Sequence, residues 1–243
     1  MVLNIYSFKK VFIVLYYLES HYCIQAKSNL SFPNSDGFWV QSRKNIIDAQ
    51  NNPDFTGASD NAGCAFAAYE NKENWLNLIF SLAKEYNIDL NKNIISLYFE
   101  WSGGNIQKKS ALTGLDKRAI IFQYFKVSPI DTQLDAENEI PAYWLETSIK
   151  NKIWVDDSNV NIFNIMNFDT WKFEINFEQP LMSQNNFIDL VENTIEPNSP
   201  LGKSMGKDGN IGEGIVITFT FKDTIYRFKV KGEKHSKSSK LKL

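Results

Sequence analysis

Residues 213–232 read Glu213-Gly214-Ile215-Val216-Ile217-Thr218-Phe219-Thr220-Phe221, then Lys222-Asp223, then Thr224-Ile225-Tyr226-Arg227-Phe228-Lys229-Val230-Lys231-Gly232. Apolar and polar residues alternate on both sides of Lys222-Asp223, the period of a half-buried strand. The stretch therefore predicts two β-strands, Glu213–Phe221 and Thr224–Val230. In the second strand, alternation puts Arg227, Lys229 and Lys231 on one face and Phe228 and Val230 on the other. Three cations on one face repel one another unless an anion sits there. The rival explanation is an edge strand guarded by charge. In the first strand, Gly214 carries no side chain, so a ligand or another backbone can come close. A carboxylate at the head of one strand and two lysines at the end of the next suit a nucleotide triphosphate.

The charge outside this hairpin is uneven. The whole chain of 243 residues carries a formal net charge of −2, so it is no polycation. From Lys222 to Leu243, however, eight Lys or Arg face only Asp223 and Glu233. A basic end on a near-neutral body points to a polyanion, either phosphates or nucleic acid. After His235 the alternative is a solvated tail. The length fits one large domain or two small ones and supports a sizeable core. Cys23 and Cys64, with His21 and His235, have neither zinc-site nor disulfide spacing, which predicts reduced thiols and an intracellular, cytoplasmic protein. Lys9-Lys10 precede the apolar run Val11–Leu18. That run is too short to span a bilayer and lacks a small-x-small cleavage site, so it reads as a buried strand rather than an export signal or membrane segment.

Towards the N-terminus the runs are short and mixed. Gly37–Arg43 reads as a strand ending on a cation, and Asn51–Asn61 as a loop. Trp75, Leu78, Ile79, Leu82 and Ala83 recur at helical spacing and predict a helix over 71–86. Ile94–Trp101 is a strand broken by Gly103-Gly104. Ala119–Val127 reads as one aromatic strand stopped by Ser128-Pro129. The segment Asp131–Pro141 is an acidic loop, and Ile162–Phe177 holds one or two strands. Ser183–Ile195 is an amphipathic helix with Ser183 as N-cap. Pro197–Gly212 is rich in glycine and proline and reads as a mobile loop. Strands and helices mixed without a βαβ rhythm predict an α+β fold.

Further candidates lie along this order. Ile94–Trp101 delivers Glu100 and then opens into Gly103-Gly104. Arg43 ends its strand. Phe122-Gln123-Tyr124-Phe125 offers flat faces on which a base can stack. Each also has a plain explanation: a surface ion pair for Glu100 or Arg43, core packing for the phenylalanines. In sequence order these elements resemble the covalent nucleotidyltransferases, most closely the ATP-dependent RNA ligase family of the T4 RNA ligase 2 type. Phe228–Ser236 resembles motif V, Glu213–Val216 motif IV, Tyr98–Gln107 motif III, Ile121–Val127 motif IIIa and Ser42-Arg43 motif Ia.

The resemblance covers roughly Asp36 to the C-terminus. It implies a nucleotidyltransferase domain: two mainly antiparallel sheets with flanking helices, acting as a monomer on ATP and broken RNA with Mg²⁺ or Mn²⁺. Lys229 and Lys231 would then neutralise the α-phosphate, and Glu213 would hold the metal. Arg43 and Glu100 would contact ribose or the nucleic acid end, and Phe125 would stack on adenine. A DNA ligase or capping guanylyltransferase is a further reading. The family's nucleophile lies in Lys-x-(Asp/His)-Gly, which this chain lacks. Lys27 is the nearest lysine, followed by Ser28-Asn29-Leu30. Residues 1–35 are accordingly expected to be an atypical segment, from truncation or a frame shift, ahead of a ligase-like domain over 36–243 with no further C-terminal domain. A catalytically dead homologue that binds nucleotide or RNA is the alternative. Phe99 also departs from the family, which has glycine before the motif III glutamate, and is expected to crowd the sugar pocket.

Overall fold

A computed structural model describes residues 11–15, 21–26, 38–42, 46–48, 58–60, 62–106, 110–130, 142–147, 161–168, 170–173, 178–221 and 224–233. In chain order the first strands are β1 (Val11–Leu15), β2 (His21–Ala26), β3 (Phe38–Ser42), β4 (Ile47–Asp48) and β5 (Ala58–Ser59). Helices α1 (Cys64–Glu70) and α2 (Lys72–Glu85) follow. Then come β6 (Asn93–Ser102), β7 (Arg118–Ile121), β8 (Tyr124–Pro129), β9 (Tyr143–Glu146), β10 (Ile162–Asn164) and β11 (Trp171–Phe173). Helix α3 (Pro180–Leu190) runs into a π-helical turn at Val191–Ile195, and α4 (Pro200–Ser204) precedes β12 (Gly214–Phe221) and β13 (Thr224–Lys231). The fold is α+β. Its strand pairs are antiparallel except β4 with β5 and β10 with β7. The chain divides into two units.

The helix-backed unit comprises Glu19–Ser102 and Asp116–Ile165. Its sheet runs β10-β7-β6-β2-β3, with β8 pairing β6 and β9 pairing β8. Alternation along β6 puts Ile95, Leu97, Phe99 and Trp101 on one face, and all four are buried. Helix α2 covers that face, with Trp75 5.1 Å from Phe99 between ring centroids. Every apolar position that predicted α2 is buried, each worth up to about 1.5–3 kcal/mol for its larger side chains.

Helix α1 was not legible, because its start is set by a residue outside it. The Asp60 carboxylate accepts hydrogen bonds from the Cys64 and Phe66 backbone N–H groups, both at 2.8 Å. The aromatic run 119–127 forms two strands rather than one. They part at Phe122-Gln123, where Phe122 N donates to Tyr98 O and Thr147 Oγ1 donates to Phe122 O.

The hairpin unit comprises Met1–Leu18, Gly103–Leu115 and Met166–Leu243. Its sheet runs β11-β1-β12-β13, so β13 is an edge among the described strands. The anticipated hairpin forms in full register, from Gly214 opposite Lys231 to Phe221 opposite Thr224. Helix α3 packs here through Phe187, 5.4 Å from Phe173. It begins at Pro180, not at Ser183: proline fits the first helical turn, where its missing N–H costs nothing, and Ser183 is buried one turn in. The stretch 197–212 is likewise built rather than irregular. Ser199 Oγ caps α4 by accepting from Gly202 N at 3.3 Å, and Asn210 Nδ2 donates to the Ala111 and Thr113 carbonyls.

Two strands, β1 and β2, lie before residue 35. Strand β1 lies between β11 and β12, and β2 lies between β3 and β6. Residues before 35 thus supply an internal strand to each of the two larger sheets.

Gly214 fixes the hairpin's geometry. Its φ is 153°, and a methyl group there would collide with the Val230 carbonyl oxygen and lie 2.9 Å from Lys231 Cα. Gly214→Ala is expected to destabilise the protein by about 3 kcal/mol, combining backbone strain with overpacking. Gly206→Ala shares a positive φ but meets nothing within 4 Å, so it should cost only about 1–2 kcal/mol. Urea unfolding of the two variants checks the difference.

Candidate functional site

The hairpin ties the backbone of Glu213, at the head of β12, to the end of β13, the strand that bears Lys229 and Lys231. Gly232 N donates to Glu213 O at 3.0 Å, which ties the head of β12 to the end of β13. Added methyl groups would collide at three neighbouring points: Gly212 with Ile195, Gly214 with Val230, and Gly232 with the Glu196 carboxylate. Glu213 is 6% exposed and Glu196 5%. The buried carboxylate of Glu196 therefore presses on the backbone between Lys231 and Glu233. Sequence reasoning missed it, because nothing local distinguishes a glutamate that ends a π-helical turn.

The cross-strand pairs put Val216 opposite Lys229 and Thr218 opposite Arg227. Opposite Lys231 stands Gly214, which has no side chain. Two unit charges about 7 Å apart repel by about 0.6 kcal/mol in water and about 2.4 kcal/mol at an effective dielectric of 20. Lys229 is exposed, near the first limit; Lys231 is half-buried and moves the pair towards the second. An anion on this face would offset that repulsion. A divalent metal is a separate requirement. Among the described residues no group of three or more metal-binding side chains converges. Mg²⁺ usually takes one or two carboxylates and completes its shell with phosphate oxygens and water, so Glu213 alone fits a metal carried in with a triphosphate.

In the helix-backed unit, Glu100 is 1% exposed. It lies on the sheet face opposite the helices, together with Ser96, Tyr98 and Ser102. The strand ends two residues later, and Gly103 and Gly104 turn the chain with φ of 108° and 55°. Arg118 pairs with Ser102 on the same face, is 9% exposed, and was not singled out from the sequence. Its guanidinium lies 5.5 Å from the Phe163 ring, and burial lowers its pKa while Asp116 raises it.

Two expectations need correction. Phe99 packs on the helix side against Trp75, so it does not crowd the face that bears Glu100. Phe125 belongs to that same helix-side set, because its neighbour Val127 pairs with Ile95. It is 0% exposed and meets Tyr86 edge to face at 5.6 Å. Its ring offers no face to a base, and core packing accounts for it. Arg43 and Lys27 lie outside the described residues. Strand β2 ends at Ala26, however, immediately before Lys27. No protein-family model matches this chain, and no curated protein matches it.

The helix-backed unit also has a cavity of about 80 Å³, lined by Cys64, Asn71, Trp75, Phe99, Trp101 and Lys117 among others. It contains no ready nucleophile. Burial pushes the Cys64 thiol well above its ordinary range; the charges of Asp60 and Glu100 push it further, and Lys117 opposes them only in part. The folded state therefore holds a neutral thiol, whereas the unfolded chain ionises above about pH 8.5. The stabilisation is complete below that pH and is lost as pH rises towards the raised folded value, by up to about 1.4 kcal/mol per pH unit. Urea unfolding between pH 8 and pH 10 should show a steeper loss in the wild type than in Cys64→Ala. Ellman's reagent should leave Cys64 unlabelled until the chain unfolds.

Proposed function

We propose that this protein is an ATP-dependent RNA ligase-like adenylyltransferase with a nucleotidyltransferase fold. The observation that carries the reading is the glycine-locked joint that holds buried Glu213 beside the strand bearing Lys229 and Lys231. In the proposed cycle, a lysine Nζ attacks the α-phosphorus of ATP and pyrophosphate leaves. The AMP then passes from the lysine to the 5′-phosphate of an RNA end. A 3′-hydroxyl attacks that activated phosphate, closes the break and releases AMP. Transfer of this kind depends mainly on positioning and charge neutralisation. Lys229 and Lys231 supply positive charge to the phosphates, and Glu213 would hold the metal. That metal, when bound, would neutralise phosphate charge. Glu100 and Arg43 would contact the ribose or the nucleic acid end.

The nucleophile in this reading is Lys27. It directly follows β2 in the sequence; β2 pairs with β6 with His21 opposite Glu100 and Ala26 opposite Ile95. A second reading is supported by Asn29 and Leu30, which stand where the family has Asp or His and then glycine. In that reading the chain binds nucleotide or RNA without joining ends.

Incubation with α-labelled ATP and Mg²⁺, followed by denaturing electrophoresis, separates the two. The ligase reading predicts a covalent label on the wild type, lost with EDTA or in Lys27→Ala. Lys231→Ala should reduce it at least about tenfold, as expected when a charge-neutralising contact in the transition state is removed. A wild-type chain that binds ATP but takes no label leaves only the binding reading.

A further inference from the structure

Beyond the nucleotide site, we infer that the outer face of the β12–β13 hairpin is a docking surface for single-stranded nucleic acid. Phe219, Tyr226 and Phe228 form a cross-strand aromatic ladder. Phe219 stacks on Tyr226 at 5.3 Å with 16° between planes, and on Phe228 at 5.7 Å with 13°. The same sheet face is closed at its other end, where Ile215 and Ile217 are buried beside the π-helical turn. Towards the ladder the cover is lost: Tyr226 is 38% exposed and Phe228 53%. Aromatic side chains of this size normally go to the core, so two of them side by side on an edge strand mark an interaction surface.

The charge on this strand selects the occupant. Arg227 and Lys229 are exposed on the opposite face of β13. Among the described strands β13 is an edge, so both of its faces come within reach of one extended polymer. A second copy pairing along β13 would bring Arg227, Lys229 and Lys231 against their own kind, which disfavours strand-to-strand dimerisation. A single strand of nucleic acid satisfies both faces, with bases on the rings and phosphates against the cations. The basic composition of residues 222–243 adds to the attraction. In a duplex the bases are already stacked on each other and are not offered to the rings. Tyr226 and Phe228 lie about 6.8 Å apart along the strand, so they suit splayed bases.

Fluorescence anisotropy of a labelled oligouridylate of about 12 nucleotides, with full-length protein and no ATP, tests this apart from any adenylation chemistry. Tyr226→Ala and Phe228→Ala should each weaken binding about tenfold, while Phe228→Trp keeps it. Arg227→Ala should weaken binding and flatten its salt dependence, and a duplex of the same length should compete poorly. Phe228→Leu keeps an apolar side chain without the aromatic face; it should also bind about tenfold more weakly, which covers the case in which Phe228→Ala fails to fold. Unchanged affinity in Phe228→Leu, or equal competition by duplex, overturns the proposal. So does sedimentation showing that Phe228→Leu abolishes self-association or capture of a protein partner while oligouridylate binding is untouched.

Discussion

The backbone contact between Glu213-Gly214 and Lys231-Gly232 is the constraint on which the proposed site depends. The two strands approach so closely at their open end because glycine stands at 214, where a methyl group would collide with the Val230 carbonyl oxygen. The approach fixes three things at once. It sets the register of the hairpin, it buries Glu213 at the head of β12, and it leaves Lys231 facing a residue without a side chain. Glu196 adds a second buried carboxylate, packed on Gly232. The Glu-Gly and Lys-Gly pairs read in the sequence are therefore the two halves of one mechanical joint.

The parts of the fold legible in sequence are those set by local period. The hairpin, the Glu100 strand with its Gly-Gly turn, and the helix carrying Trp75 and Leu82 each announce themselves through spacing alone. The parts that were missed depend on distant partners. Asp60 starts α1 from outside the helix, and Thr147 holds the chain at Phe122, where one strand becomes two. Pro180 moves the start of α3 ahead of the serine that composition favours as a cap.

The candidate site shows the same division. The positions of Glu213, Lys229 and Lys231 on one hairpin were legible because the local period of two strands sets them. Phe125 was misplaced for a specific reason: an aromatic strand offers rings on both faces, and only the pairing of Val127 with Ile95 tells which face the helices cover. Arg118 and Glu196 gave no signal, since a lone arginine before a strand and a lone glutamate after a helix are ordinary. Within residues 1–35, the segment expected to be atypical, β1 and β2 each take an internal place in a sheet. Strand β2 pairs with β6 so that its His21 end, not its Lys27 end, stands opposite Glu100.

The central claim is that this chain forms a lysyl-adenylate and that the lysine is the one following β2. Peptide mass mapping of protein incubated with ATP and Mg²⁺, then digested under conditions that preserve the phosphoramidate, tests it most directly. The account predicts a single AMP adduct on the peptide that carries Lys27. An adduct on Lys229 or Lys231, or none on any lysine of protein that has bound ATP, would contradict it.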